Sequence, residues 1–203
     1  MDRFIELFNE GNIQYLSKNF IKYAFLYSLN PIPDPKDVIF DLQHHILNNI
    51  NNRGRETMDL IVQNYNNTGR NLYVEFGFDD LQNPYEGNLS TIMRMGRILA
   101  SIRKLAVMRD NNYDKLFVYV CDNTMAGFLN RNFHLFVDLD VNDKLLINNE
   151  FWNLFVKGKV VKREALVEKY GTFNANIKCL SRGLARMNNG KSYILLKMEV
   201  YTN

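Results

Sequence analysis

Few residues in this chain have the types and spacing that chemistry needs. His44 and His45 are adjacent within a stretch of helical patterning. Neighbours on a helix point about 100° apart, so the two imidazoles do not converge on one ion. Asp138-Leu139-Asp140 could offer carboxylates to a cation, but it reads better as a polar loop. Cys121 and Cys179 are the only cysteines, and both lie in apolar surroundings, which favours reduced, buried thiols over a disulfide. Gly77, Gly87 and Gly96 make no phosphate-cradling fingerprint, and no Gly-x-Ser-x-Gly turn occurs. The expectation is a binding protein that uses no metal and no cofactor, and not an enzyme.

One pair stands out. Gly96-Arg97 lies inside an apolar helical pattern, where Gly costs about 1 kcal/mol relative to Ala. Close approach of another backbone would explain that cost. Arg97 falls at the edge of the apolar stripe, where a guanidinium can receive a carboxylate in a bidentate pair.

The elements that must position such residues follow from periodicity. Phe4, Ile5 and Phe8 open one helical pattern. Ile13, Leu16, Phe20, Tyr23 and Tyr27 continue a second. Three prolines between Pro31 and Pro35 end it. Asp34 caps a predicted helix with the stripe Val38, Ile39, Leu42, Ile46 and Ile50, and another is predicted over 56–64. Residues 66–87 are the least helical. Ser90 caps a helix over 91–108 with the stripe Ile92, Met95, Ile98, Leu99, Ile102, Leu105 and Ala106. A further helix is predicted over 115–137 through Phe117, Val120, Cys121, Thr124, Met125, Phe128, Leu129, Phe133 and Phe136, although Leu116 to Val120 alone also fits a strand. Short helices are expected over 150–156 and 163–170, and a helix over 174–186. Residues 192–201 fit a strand or a ragged end. This pattern predicts an all-α single domain over residues 1–203, with a basic C-terminal extension from about residue 172.

Composition sets the outer bounds. At 203 residues, 46% hydrophobic and 13% aromatic, the chain can bury a real core. Net charge is +3, unevenly spread. From Lys157 onward ten Lys/Arg face three Glu, a net of +7, which leaves −4 for residues 1–156. No stretch approaches the ~18 uncharged apolar residues of a membrane span, and the acidic N-terminal residues do not fit a secretory signal. A cytoplasmic location without a transmembrane anchor is expected.

Several stretches, in order, resemble motifs of the Bcl-2 family of apoptosis regulators. Gly96-Arg97-Ile98-Leu99-Ala100 is similar to the centre of the first homology region. Phe128-Leu129-Asn130-Arg131-Asn132-Phe133-His134 resembles the sixth helix, and Phe151 to Gly158, around Trp152, resembles the second homology region. Leu16 to Leu29 resembles the fourth. Arg94-Met95 and Lys104 depart from the family pattern. The resemblance implies a divergent, virus-encoded member: a helical bundle with helices 91–108 and 115–137 as a central apolar hairpin. It implies an inhibitor of apoptosis that takes the amphipathic death-ligand helix of pro-apoptotic relatives in a hydrophobic groove. Groove residues would be Arg97, Gly96, Ile98, Leu99, Ile102, Leu42, Ile46 and Trp152, with Arg97 receiving the ligand's Asp. No small-molecule substrate is implied, and the location would extend to the mitochondrial periphery. Two other functions fit the residues. One is a viral modulator of innate immune signalling that uses a helix surface of the same fold. The other is a nucleic-acid or acidic-membrane-surface binder using the basic C-terminal segment.

Overall fold

The computed structural model describes residues 3–10, 16–43, 57–65, 69–81, 90–108, 112–133, 139–157, 163–187 and 190–202. Strands β1 (Val38–Gln43), β2 (Thr57–Tyr65), β3 (Arg70–Asp79), β4 (Tyr113–Asp122), β5 (Lys144–Ile147), β6 (Ala175–Arg186) and β7 (Ser192–Tyr201) form one seven-stranded sheet in the order β1-β2-β3-β4-β7-β6-β5. All neighbours are antiparallel except β3 and β4, which run parallel from Asn71↔Tyr113 to Asp79↔Cys121. Parallel neighbours need a crossover, and helix α3 (Thr91–Val107) supplies it. The protein is a mixed α/β fold, so the expected all-α class and helical bundle are overturned.

The corrections have a common cause. Residues 113–122 are a strand, and only Asn123–Phe133 are helical (α4), so the central helical hairpin does not form. Every residue from Phe117 to Asp122 is buried. A strand covered on both faces reads as a continuous apolar run, which periodicity cannot separate from a buried helix. Val38–Gln43 and Thr57–Tyr65 are also strands, where Val-Ile-Phe and Leu-Ile-Val runs favour the pleated backbone. The predicted helix over 174–186 is strand β6, whose first residues alternate buried Ala175, Ile177 and Cys179 with half-buried Asn176 and Lys178. That period of two was present in the sequence. Instead of extending from the domain, the basic segment from about 172 supplies β6 and β7, and β7 lies inside the sheet.

Other expectations hold. Helix α3 begins where Ser90 Oγ accepts the Met93 N–H, and its buried stripe runs Met95, Ile98, Leu99, Ile102, Leu105 and Ala106. Helices α1 (Arg3–Glu10) and α2 (Lys18–Ser28) lie in the first predicted segment. Helices α5 (Asn149–Lys157) and α6 (Arg163–Tyr170) match the two short ones. Asp34 caps only a 3-10 turn, Pro35–Asp37, before β1.

The sheet separates two cores. On one face α3, α4, α5 and α6 pack over Met58, Tyr73, Phe117, Tyr119, Leu196 and Met198. On the other, α1 and α2 pack Phe4, Phe8, Ile21 and Phe25 over Leu60, Val74, Phe76, Val118 and Leu195. Each fully buried side chain of this size contributes about 1.5–3 kcal/mol. Among the described residues no helix is long and apolar enough to cross a membrane.

Candidate functional site

The β2–β3 ladder stops short. Pairing runs from Tyr65↔Arg70 to Leu60↔Val74, after which Met58 and Thr57 follow β1 instead, opposite Leu42 and Gln43. Beyond Val74, β3 continues to Asp79 without a strand neighbour on that side among the described residues. Side chains fill the start of the split. Asp59 Oδ2 accepts the Phe76 N–H at 2.9 Å, and Glu75 Oε1 accepts the Asp59 N–H at 3.3 Å. Both carboxylates are buried, with Glu75 0% exposed.

A buried charge needs a partner, and the two flanking helices provide them from opposite faces. From α2, Lys18 Nζ lies 2.6 Å from Asp59 and Lys22 Nζ lies 3.2 Å from it. Lys22 also reaches Asp41 on β1 at 2.8 Å. From α3, Lys104 Nζ lies 2.7 Å from Glu75 Oε2 and donates to the Thr57 carbonyl at 3.1 Å. Glu75 Oε2 has that ion pair but no well-directed hydrogen bond. An ion network therefore crosses the sheet where the ladder opens. Its two acids are driven apart. Burial pushes the Glu75 carboxyl up, Lys104 opposes this, and the neighbouring Asp59 charge adds to the rise. Burial also disfavours the Asp59 carboxylate, but Lys18, the Phe76 N–H and Lys22 outweigh it and hold the group below its usual range.

Beside the split lies a cleft of about 320 Å³. One wall is β3 from Glu75 to Asp79. The other is the α3 face bearing Arg97, Ser101 and Lys104, with Lys18 at the rim. Arg97 and Lys104 are seven residues apart, about 10 Å along the helix. Arg97 is exposed and has neither an ion pair nor a hydrogen bond among the described residues. Of the cations lining this cleft it alone lacks a carboxylate there, since Lys18 and Lys104 are matched.

A second polar cluster sits at the carboxyl ends of β3 and β4, where open α/β sheets often bind ligands. Here its carboxylates are matched by protein donors. Arg94 Nη1 donates to Asp79 Oδ1 at 3.0 Å, and the Tyr119 hydroxyl to Asp79 Oδ2 at 2.9 Å. Tyr193 and Lys191 donate to Asp80 Oδ2 at 2.8 and 3.2 Å. Asp122 accepts from the Leu81 and Met125 N–H groups, and the second of these caps α4. Cys121 is fully buried and its thiol is pushed far up, first by burial and then by Asp79 and Asp122, which disfavours the thiolate. Cys179 is likewise buried and unpaired, its thiol raised by burial.

The residues named from the sequence do not gather in one groove. Arg97 and Ile98 line the cleft, and Gly96 is buried in α3. Leu99 and Ile102 face the sheet core. Leu42 is exposed on edge strand β1, and Trp152 is buried on α5, where its Nε1 donates to the Phe173 carbonyl at 2.8 Å. Ile46 and the His44-His45 pair lie outside the described residues. Basic residues of β6 and of the turn before β7 are partly spent internally: Arg182 meets Asp140 at 3.4 Å and Lys191 meets Asp80. Sequence reasoning missed Lys18, Asp59 and Glu75. The signal was there, because Asp59 and Glu75 each interrupt an apolar strand run (Met58-Asp59-Leu60, Val74-Glu75-Phe76) and a buried acid requires a partner.

Comparison of the chain with protein-family models, curated proteins and solved structures finds no match.

Proposed function

We propose that the protein is a binding protein whose cleft between β3 and α3 takes an anionic ligand, with Arg97 as the anchoring cation. One observation carries this: Arg97 is left without a carboxylate in a cleft whose other lining cations are matched. A guanidinium presents planar donors suited to a carboxylate or phosphate, and a charge-assisted contact of that kind is about twice as strong as a neutral one. Lys104 supports it from one turn beyond Ser101, and the cleft volume suits a small ligand. A groove for a death-ligand helix has lost its premise, since its expected helical walls at 38–50 and 115–137 include strands β1 and β4.

Calorimetric titration with inorganic phosphate and N-acetylglutamate tests the proposal. At least one probe binds the wild type, and Arg97→Glu weakens it about tenfold or more. Lys144→Glu, an exposed change on edge strand β5, leaves it unaltered. Equal binding by wild type and Arg97→Glu refutes the assignment.

A further inference from the structure

The β3 wall of the cleft carries information about ligand shape. Consecutive residues of a strand direct their N–H and C=O groups to alternate sides. The Asn71 N–H donates toward β4, to the Asn112 carbonyl at 3.0 Å, so odd-numbered residues of β3 face β4 and even-numbered ones face β2. The Phe76 N–H agrees, since it points to Asp59 on β2. Phe78 therefore aims its N–H and C=O into the split, where β2 has already left, and the Phe76 carbonyl points the same way. Among the described residues β2 offers the Phe78 N–H no ladder partner. Backbone groups of this kind need a partner, and they stand at the spacing of a β-ladder.

We infer that the ligand is an extended peptide segment that takes the place β2 vacates, pairing with Phe76 and Phe78 of β3 while its carboxylate meets Arg97. The inference rests on the anion-binding reading for Arg97 and adds the ladder. Three features combine to support it. The free ladder positions suit an amide backbone, which offers a donor and an acceptor at each alternate residue. The wall from Glu75 to Asp79 spans about 13 Å, the length of a four-residue strand. Arg97 stands across the cleft from that wall and meets one negative charge. Inorganic anions can use only the last of these. A folded helix, with its backbone groups bonded internally, can use neither ladder position.

The test is a nuclear magnetic resonance titration of the whole chain with N-acetylated tetrapeptides of valine and threonine ending in aspartate. One peptide has a free C-terminus and one an amide. A third replaces the aspartate by asparagine, and a fourth carries N-methyl groups on alternate amides. The expected result is binding of the acidic peptides with slowed hydrogen exchange at the Phe78 amide by about tenfold or more at saturation. N-methylation weakens binding by about tenfold. The amide and asparagine peptides show which carboxylate, chain end or side chain, Arg97 receives. Failure of all four peptides to bind at millimolar concentration overturns the inference. So does binding that leaves Phe78 exchange unchanged, or equal affinity of the N-methylated peptide. Arg97→Glu separates the two ideas. Loss of binding to this variant, together with binding to the wild type that leaves Phe78 exchange unchanged, retains the anion site and removes the ladder. Undiminished peptide binding to Arg97→Glu with Phe78 protected removes the carboxylate contact instead.

Discussion

Two polar clusters lie within a few residues of each other on β3, and they are built to opposite plans. At the strand ends, Asp79, Arg94 and Tyr119 are buried and mutually bonded, and Asp80 and Asp122 have their own donors. At the β2–β3 split, Asp59 and Glu75 are matched by lysines from both faces, yet among the described residues Arg97 has no ion pair and the Phe78 N–H no ladder partner. Burying a polar group is tolerable when every donor and acceptor is satisfied, so the first cluster locks strands to helix α3. The second breaks a ladder at a point where the chain could have continued it. Leftover donors, more than the number of charged residues, mark the place where a ligand would be stabilised.

If that contrast is right, the two clusters respond differently to mutation. Arg94→Met leaves the buried Asp79 carboxylate without its guanidinium and should destabilise the fold by about 3–5 kcal/mol in urea unfolding. A loss below about 1 kcal/mol would show that the strand-end cluster is not a matched unit. Next in size is Gly77, whose absent Cβ lets Tyr119 lie 2.6 Å from where that atom would sit. Tyr119 is fully buried and cannot move aside, so Gly77→Ala should cost about 1–3 kcal/mol through overpacking. An unchanged melting temperature would mean that the aromatic layer under the cleft yields.

A third test uses pH. The Glu75 carboxyl titrates above its ordinary value of 4.5 in the folded protein. Its contribution to stability is therefore complete below that ordinary value and is lost as pH rises through the folded pKa. Glu75→Gln has no such term. The melting temperature of the variant minus that of wild type should rise from about pH 4 to about pH 7. A flat difference would place an unshifted carboxyl at Glu75, and a falling one a lowered carboxyl. The smallest effect on stability belongs to Arg97→Glu, within about 0.5 kcal/mol because the side chain is exposed and makes no internal pair. The same change should have the greatest effect on anion affinity; a variant that unfolds would mark Arg97 as structural.

How much of this could be read beforehand differed by element. Helix α3 was legible from its cap and stripe, and so was α5, because each is amphipathic with one buried face. Strand β4 was not, because both its faces are buried and its side chains give no period. In β6 the alternation of Ala175, Ile177 and Cys179 was visible, but Leu180 and Leu184 also fit a helical step, and that fit prevailed. Arg97 was picked out through its position beside Gly96 on a helix edge, and it does line a cleft. Its neighbours there could not be foreseen, since Lys18, Glu75 and Lys104 come together only through the sheet order and the early end of the β2–β3 ladder. Local patterns specify helices; pairing between distant strands specifies this cleft.

Residue-resolved hydrogen exchange on the free protein examines the split itself. Val74, paired with Leu60, should exchange slowly, while Phe78, four residues on in the same strand, exchanges much faster. Equal protection of the two amides would mean that a partner already continues the ladder past Val74, and the cleft would be closed to any ligand.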